Sequence, residues 1–351
     1  MKLHFLFLFL FANVLIEVNA SEIQYVFKNH QEGYHVYRIP TIIKTKGNNL
    51  LAFCEGRRSL FDNGNIDIVM KTSKDNGKTW SKLKVVWDNG KNTCGNPSPV
   101  INNTNGNVIV LATMNNDKVF VLESKDEGES WEQPKEITTS VKLNNWQWYA
   151  TGPVHAIQLE QKKNINRILV PCNHTILGNK NHVSHVIYSD DAGFSWKLGG
   201  SVPGENTDES TVAELLNRDL LLNMRNNEKS ISKRKISISK DGGETWTSPI
   251  IDSTLIEPIC QGSLLRYSFS PNILLFSNPL NKNRRKNLTI SVSYNEGKNW
   301  TKRIFVFKKK SAYSDMVKLN NGDIVCLFEF GKMLPYRGVL VKIIDNELIM
   351  E

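Results

Sequence analysis

One short pattern, Ser-x-Asp-x-Gly-x-x-Trp, recurs along the chain and limits its fold more than any other feature. Copies begin at Ser73, Ser124, Ser189 and Ser239, and a fifth, with Asn295 in place of Asp, begins at Ser293. The starts lie 51, 65, 50 and 54 residues apart, and the copies contain five of the chain's eight Trp residues. Within a copy, Asp can accept hydrogen bonds from backbone amides two residues on, and Gly supplies the positive φ of a tight turn. Trp then carries a large apolar surface back under that turn. β-like runs such as Ile66–Met70 and Val119–Leu122 precede the boxes, so each box reads as a hairpin turn near the end of one small sheet. Intervals of this length hold about four short strands, which is the spacing of propeller blades. No sustained 3.6-residue periodicity is present, so helices should be few. Five boxed units and one unmarked unit built from the chain ends predict an all-β, six-bladed β-propeller, with the boxes on its outer rim.

Composition agrees with a folded chain of this kind. Of 351 residues, 40% are hydrophobic and 23% charged, which excludes disordered and collagen-like classes. Five cysteines are too few for a disulfide-built scaffold, and their odd number leaves at least one thiol outside any internal pair. Cys54 and Cys326 sit in apolar strand-like runs and read as small core residues. No CxxC or His/Cys cluster suggests a metal site. The net charge of +9 suits an anionic partner, whether nucleic acid, membrane surface or acidic sugar.

The N-terminus carries a separate signal. Lys2 precedes an apolar run from Leu3 to Ile16, and Val18-Asn19-Ala20 offers a cleavage-like end, as in a secretory leader. Residues 1–20 are therefore expected to be a signal peptide and 21–351 the mature domain, secreted or lumenal. No other stretch approaches the ~18 apolar residues of a membrane span. Four sequons, at Asn102, Asn173, Asn287 and Asn299, fit that compartment.

With five boxes behind Tyr37-Arg38-Ile39-Pro40, the chain resembles the exo-sialidases (neuraminidases) of bacterial and animal type, from about Tyr34 to about Glu329. The resemblance implies a six-bladed propeller with its active site at the central mouth, no cofactor, and sialylated glycans rather than nucleic acid as partners. It implies three carboxylate-binding arginines: Arg38, Arg225 after Leu220–Met224, and Arg285, with Arg284 beside it the competing position. Three guanidiniums suit a carboxylate because each offers a planar fork of charged donors that stays protonated.

Asp62, after Ala52-Phe53-Cys54-Glu55-Gly56-Arg57, matches the family's general acid/base, although Asp62-Asn63-Gly64 is also a turn sequence. Arg57 matches a further substrate-contacting arginine, with Arg58 the alternative. Tyr313, in Ser311-Ala312-Tyr313-Ser314-Asp315, matches the nucleophile, and Glu209 its activating carboxylate, with Glu214 a second, structural Glu. A phenol suits this substrate because a carboxylate nucleophile would approach the sugar's own carboxylate against like charge. Glu329 matches an ion-pair partner of the first arginine, and Asn96 a position lining the pocket near the acyl-amino arm. Trp146–Pro153 resembles a rim segment facing the leaving group, and Val154 stands where the family usually has Gly before His155. His155 reads as a structural hydrogen-bonder. A trans-sialidase and an inactive sialic-acid-binding lectin are the rival readings; the intact Asp62, Glu209 and Tyr313 argue against the lectin.

Overall fold

The computed structural model describes residues 24–160, 164–332, 334 and 336–350, with the backbone of Val14–Glu17. The leader-like segment 1–20 otherwise lies outside the described residues.

Twenty-three of the strands between Val36 and Ile344 and the N-terminal strand Gln24–Lys28 form antiparallel meanders. Four sheets are separate. The first runs Val36–Lys44, Leu50–Arg57, Ile66–Ser73, Lys84–Trp87, and the second Cys94–Ile101, Val108–Met114, Lys118–Ser124, Lys135–Glu136. In the third, Trp146–Thr151 and Ile157–Gln158 both pair with Ile168–Ile176, followed by His182–Ser189 and Lys197–Ser201. The fourth runs Thr207–Glu214, Leu220–Asn226, Lys233–Ser239, Ile250–Ile256.

The remaining seven strands, with Val14–Glu17 pairing in parallel along Lys302–Phe305, form one eight-stranded sheet, not two separate ones. Its continuity comes from the 17-residue strand Lys302–Lys318, whose first half pairs with Lys286–Ser293 and second half with Ile324–Gly331. The N-terminal Gln24–Lys28 pairs with the C-terminal Gly338–Ile344, so the two chain ends close this sheet together. The arrangement is an all-β propeller. Helix is confined to Thr138–Val141 and Glu347–Met350 among the described residues, and neither can cross a membrane.

Each box is the turn between the third strand of a unit and the strand after it. In the first, Ser73 Oγ accepts from Gly77 N–H at 2.8 Å, and Asp75 Oδ1 accepts from Thr79 N–H at 2.8 Å. The carboxylate thus reaches an amide four residues on, not two; the Ser hydroxyl takes the nearer one, at Gly. Gly193 shows why the position is glycine: its φ is +92° and a Cβ there would lie 2.5 Å from Ile109 Cδ1 of the preceding sheet. Gly128 meets Leu51 and Met70, and Gly297 meets Leu221, in the same way. The boxes are therefore spacers between neighbouring sheets, on the rim as expected.

The apolar clusters lie in the same seams. One joins Ile109 and Val119 to Tyr149, Val170 and Ile187; another joins Leu50 and Ala52 to Val325 and Leu327, across the point of ring closure. At about 1.5–3 kcal/mol per buried Leu, Ile or Val, these seams are the main favourable term holding the ring. All five cysteines are buried free thiols, Cys54 and Cys326 within apolar clusters as anticipated. Of the sequon asparagines, Asn102 and Asn173 are fully buried, whereas Asn299 is exposed.

Candidate active site

The innermost strand of each unit lies nearest the axis, and five of them break register where the functional side chains sit. The shifts fall between Arg38 and Thr41, Gly95 and Ser98, Trp146 and Tyr149, Thr207 and Ser210, and Ser311 and Ser314. A bulge adds a residue to one strand and re-aims its neighbours. Ile39 and Asn96 take positive φ there, +59° and +55°. Arg38, Asn96, Trp148, Glu209 and Tyr313 all fall within these bulges. Arg57 and Arg225 come from the same ends of second strands, and Asp62 and Arg285 from adjoining loops.

These residues line one cleft of about 900 Å³. Arg38, Arg57, Asp62, Asn96, Glu209, Arg225, Arg285 and Tyr313 all face it, so every predicted site residue but Glu329 reaches one cavity. Glu329 lies directly behind, fully buried. Its Oε1 accepts from Arg38 Nε at 2.8 Å and from Ile39 N–H at 3.0 Å; its Oε2 accepts from Tyr313 N–H at 3.2 Å. One carboxylate therefore fixes the first arginine and the tyrosine backbone together.

The tyrosine end is tightly coupled. Tyr313 Oη donates to Glu209 Oε1, while Arg225 Nη1 donates to Glu209 Oε2 at 2.8 Å and to Tyr313 Oη at 3.3 Å. Burial and then the Glu209 carboxylate push the Tyr313 phenol well above its ordinary value, against Arg225 and Arg285. The phenol is thus held neutral with an acceptor in place for its proton. Arg285 donates to Tyr336 Oη at 3.0 Å and to the Ile259 carbonyl at 2.8 Å, and the Arg38 guanidinium stacks 4.0 Å from the Tyr336 ring.

At the opposite side Asp62 hangs from a loop with its side chain 80% exposed. Partial desolvation by the cleft walls acts upward on its carboxyl; Arg57, then Arg38 and Arg285, act downward and prevail. Solvent screens that effect at so open a group. Arg57 donates to both Asp62 and Glu55, whereas Arg58 turns outward onto the Gly33 carbonyl and the Tyr34 ring. The structure thereby separates the Arg57/Arg58 pair in favour of Arg57. It also separates Arg285 from Arg284, which is exposed and outside the cleft.

The supporting positions fall as follows. Asn96 N–H donates to Glu55 Oε1 at 2.8 Å and its Nδ2 to Thr113 Oγ1 at 3.1 Å. Glu214 lies outside the cleft and accepts from Glu160 N–H at 2.8 Å. His155 is also outside, with its Nδ1 2.6 Å from Asp315 Oδ1; that carboxylate outweighs burial and holds the imidazole above its usual value. Val154 is fully buried, with its carbonyl accepting from Ser98 Oγ at 2.6 Å.

A match of residues 48–326 with the BNR repeat-like domain covers the boxes and most of the cleft. The chain belongs to that family. Among curated relatives of this family member, a sialidase of Bacteroides fragilis is 30% identical over 301 residues, 76% of this chain and 54% of the relative. The chain spans about half the length of that relative. Among solved structures, the Hadza microbial sialidase Hz136 superposes with a TM-score of 0.84 at 23% identity, over 93% of this chain and 69% of that one. The intramolecular trans-sialidase of Ruminococcus gnavus gives 0.77 at 16% identity, over 94% and 98%. At these identities the two structures show a shared fold.

This family member also carries cleft residues that sequence reasoning missed. Tyr336 lies on a loop with no motif to mark it. His182 and Asp208 face each other at 3.3 Å, and Asp208 stands 3.6 Å from Arg225 Nε. Asp208 adjoins Glu209, and a carboxylate one residue from a predicted base was the available signal. In the sequence Glu55 stands only as part of the lead to Asp62, yet it ties Arg57 to Asn96.

Proposed function

We propose that the chain is an exo-α-sialidase, hydrolysing terminal sialic acids from glycoproteins, glycolipids and oligosaccharides with retention. The observation that carries this is a neutral phenol hydrogen-bonded to Glu209, facing a cleft that also holds three arginines and a loop carboxylate. Three guanidiniums in one cleft fit a sugar bearing a carboxylate, and a phenol nucleophile fits a carbon bearing that same carboxylate. The scaffold reads as six blades when the eight-stranded sheet counts as two sharing Lys302–Lys318.

Arg38, Arg225 and Arg285 bind the carboxylate, with Arg57 and Asn96 lining the ring side. Tyr313 attacks the anomeric carbon as Glu209 takes its proton, and Asp62 protonates the departing glycosidic oxygen. Asp62 then takes a proton from water, which attacks the same carbon; the bond to Tyr313 breaks and Glu209 returns the proton to the leaving phenolate. A bound carboxylate shares the charge of Arg38 and Arg285, which relaxes their hold on Asp62 and favours its protonated form. A tyrosine nucleophile sets sialidases apart from glycosidases that use a pair of carboxylates.

Transfer to a sugar hydroxyl in place of water is the second reading, favoured by the fold shared with a trans-sialidase and by Trp148 at the rim. The chain reaches the secretory pathway through the leader at 1–20, leaving 21–351. The test is release of fluorophore from a 4-methylumbelliferyl sialoside by purified protein, with and without a lactose acceptor. Turnover lost in Asp62→Ala supports the reading; sialyl-lactose formation selects transfer; binding without turnover selects a lectin.

A further inference from the structure

The chain's positive charge is concentrated in one segment. Residues 258–314 contain eleven Lys and Arg against Glu296 alone, a net +10, so the other 294 residues sum to −1. That segment contributes Arg285 and Tyr313 to the cleft. Strand register divides its cations: Lys282, Arg284, Lys286 and Lys308–Lys310 lie toward Arg285, whereas Lys298, Lys302 and Arg303 lie at the box end and Arg266 pairs with Glu296. Lys286 pairs with Lys310, which pairs with Gly331, at the strand ends opposite the Ser293–Trp300 box. Ser311 N–H donates to the Arg285 carbonyl at 3.2 Å, tying this row to the cleft. Lys282 and Arg284 lie on the loop leading to Arg285; Lys332 and Arg337 lie on the loop that brings Tyr336 to the cleft.

Lys282, Arg284, Lys309, Lys332 and Arg337 are exposed, and no ion pair among the described residues engages them. A basic surface kept for solubility would be interspersed with acids and spread around the ring; this one is gathered on one side of the mouth.

We infer that this collar is a second recognition surface for multiply anionic glycans, engaging the charges that lie beyond the sialic acid held in the cleft. The inference rests on the sialidase reading for its substrate and names what that reading leaves open. A terminal residue bound through Arg285 places the rest of its glycan at the mouth, where further carboxylates meet the collar. Exposed cations around a low-dielectric cleft raise the local concentration of such a ligand and speed its capture. A single-charge sialoside gains little, because its one carboxylate is already held inside.

The test compares α2,8-linked oligosialic acid with sialyllactose, using wild type and a Lys282→Gln/Lys309→Gln/Lys332→Gln/Arg337→Gln variant. With oligosialic acid in low salt, kcat/KM of the variant should fall about tenfold, chiefly through KM. The gap should close near ~1 M salt, where the screening length is about 3 Å. Sialyllactose turnover should stay within about twofold, the scale of a peripheral charge effect. An unchanged preference between the two substrates overturns the collar.

Binding of fluorescent oligosialic acid to Tyr313→Phe protein, with and without the four changes, tests the collar without turnover. Salt-sensitive binding that weakens with the changes supports it even if the hydrolase reading fails. Retention on phosphatidylserine vesicles with no affinity for oligosialic acid assigns the patch to membranes and overturns it.

Discussion

The rim and the axis of this ring are built on opposite plans. At the rim, the Ser and Asp of each box bond locally: Ser124 and Asp126 reach residues no more than four positions away. At the axis the longest bonds cross much of the chain, beside short ones such as those from Arg57 to Glu55 and Asp62. Arg38 meets Glu329 over 291 residues, Tyr313 meets Glu209 over 104, and Arg225 meets Tyr313 over 88. The rim geometry is repeated five times with little variation, whereas each strand end at the axis contributes a different side chain. Local, redundant turns set the shape, and non-local, singular contacts set the chemistry. Damage should therefore separate: axis changes abolish turnover, and rim changes cost stability and leave turnover per folded molecule alone.

The largest effect is expected at Tyr313. Tyr313→Phe removes the oxygen that the proposed mechanism has attack the sugar, yet keeps the ring between Arg38 and Arg285, and Glu209 retains Arg225 as a partner. Turnover of an aryl sialoside should drop by about 10³-fold or more, with a thermal midpoint close to wild type. Near-normal turnover in the folded variant would end both the proposed mechanism and the contrast between rim and axis.

Glu329→Gln comes next and tests how far the axis behaves as a unit. Four donors converge on this carboxylate: Arg38 Nε and Nη2, and the amides of Ile39 and Tyr313. An amide there must turn its NH₂ toward a donor and leaves a buried guanidinium without its counter-charge, a loss of about 3 kcal/mol. Urea unfolding should show the lower midpoint, and kcat/KM should fall with it as Arg38 and Tyr313 lose their common anchor. A variant with full stability and full activity would show that Glu329 is a bystander.

The same contrast explains what could be read from the chain alone. Boxes are local, so their residues, their spacing and the positive-φ glycine stand in the sequence, and the all-β propeller follows from them. Arg38, Asp62, Glu209 and Tyr313 were found through family motifs, not through periodicity. The bulges that aim them were invisible, because a register shift depends on which strand pairs with which. Tyr336 and His182 were missed for the same reason: each becomes a cleft residue only through partners far along the chain. The joined eight-stranded sheet was also unreadable, since nothing in Lys302–Lys318 announces that one strand serves two neighbours. The Arg57/Arg58 choice could not be settled from spacing, because adjacent side chains on a strand face opposite ways and the sequence does not say which faces the cleft.

At the rim, pH provides a milder test. The Ser130 hydroxyl, followed by the Ser130 amide, lowers the Asp126 carboxyl to about 2. A depressed folded-state value means the ionised turn stabilises the fold above the ordinary carboxylate range, and that contribution fades as pH falls from about 4 toward 2. Asp126→Asn should lose about 1 kcal/mol near neutrality, the scale of a lost side-chain cap. Its urea midpoint should then decline less than that of wild type on acidification, with turnover at neutral pH unchanged. A parallel decline in both proteins would mean that this carboxylate does not report on the rim.

The fifth box gives the finest test, because it already lacks the carboxylate. Asn295 Oδ1 still accepts from Asn299 N–H at 2.9 Å and from Ser293 Oγ at 3.0 Å, so the turn forms without the charge. What it lacks is the second bond of the other boxes, where Thr79, Ser130, Ser195 or Thr245 donates its hydroxyl to the far carboxylate oxygen. Asn295→Asp alone would place an oxygen where no hydroxyl answers it, and should change stability by no more than a few tenths of a kcal/mol. Asn295→Asp with Asn299→Ser supplies both partners and should gain about 0.5–1 kcal/mol. If the single change delivers the whole gain in urea midpoint, the box is held by charge on the turn amides. If only the pair does, the rim turn is a two-bond clasp, and its repetition reflects a geometry that needs both residues at once.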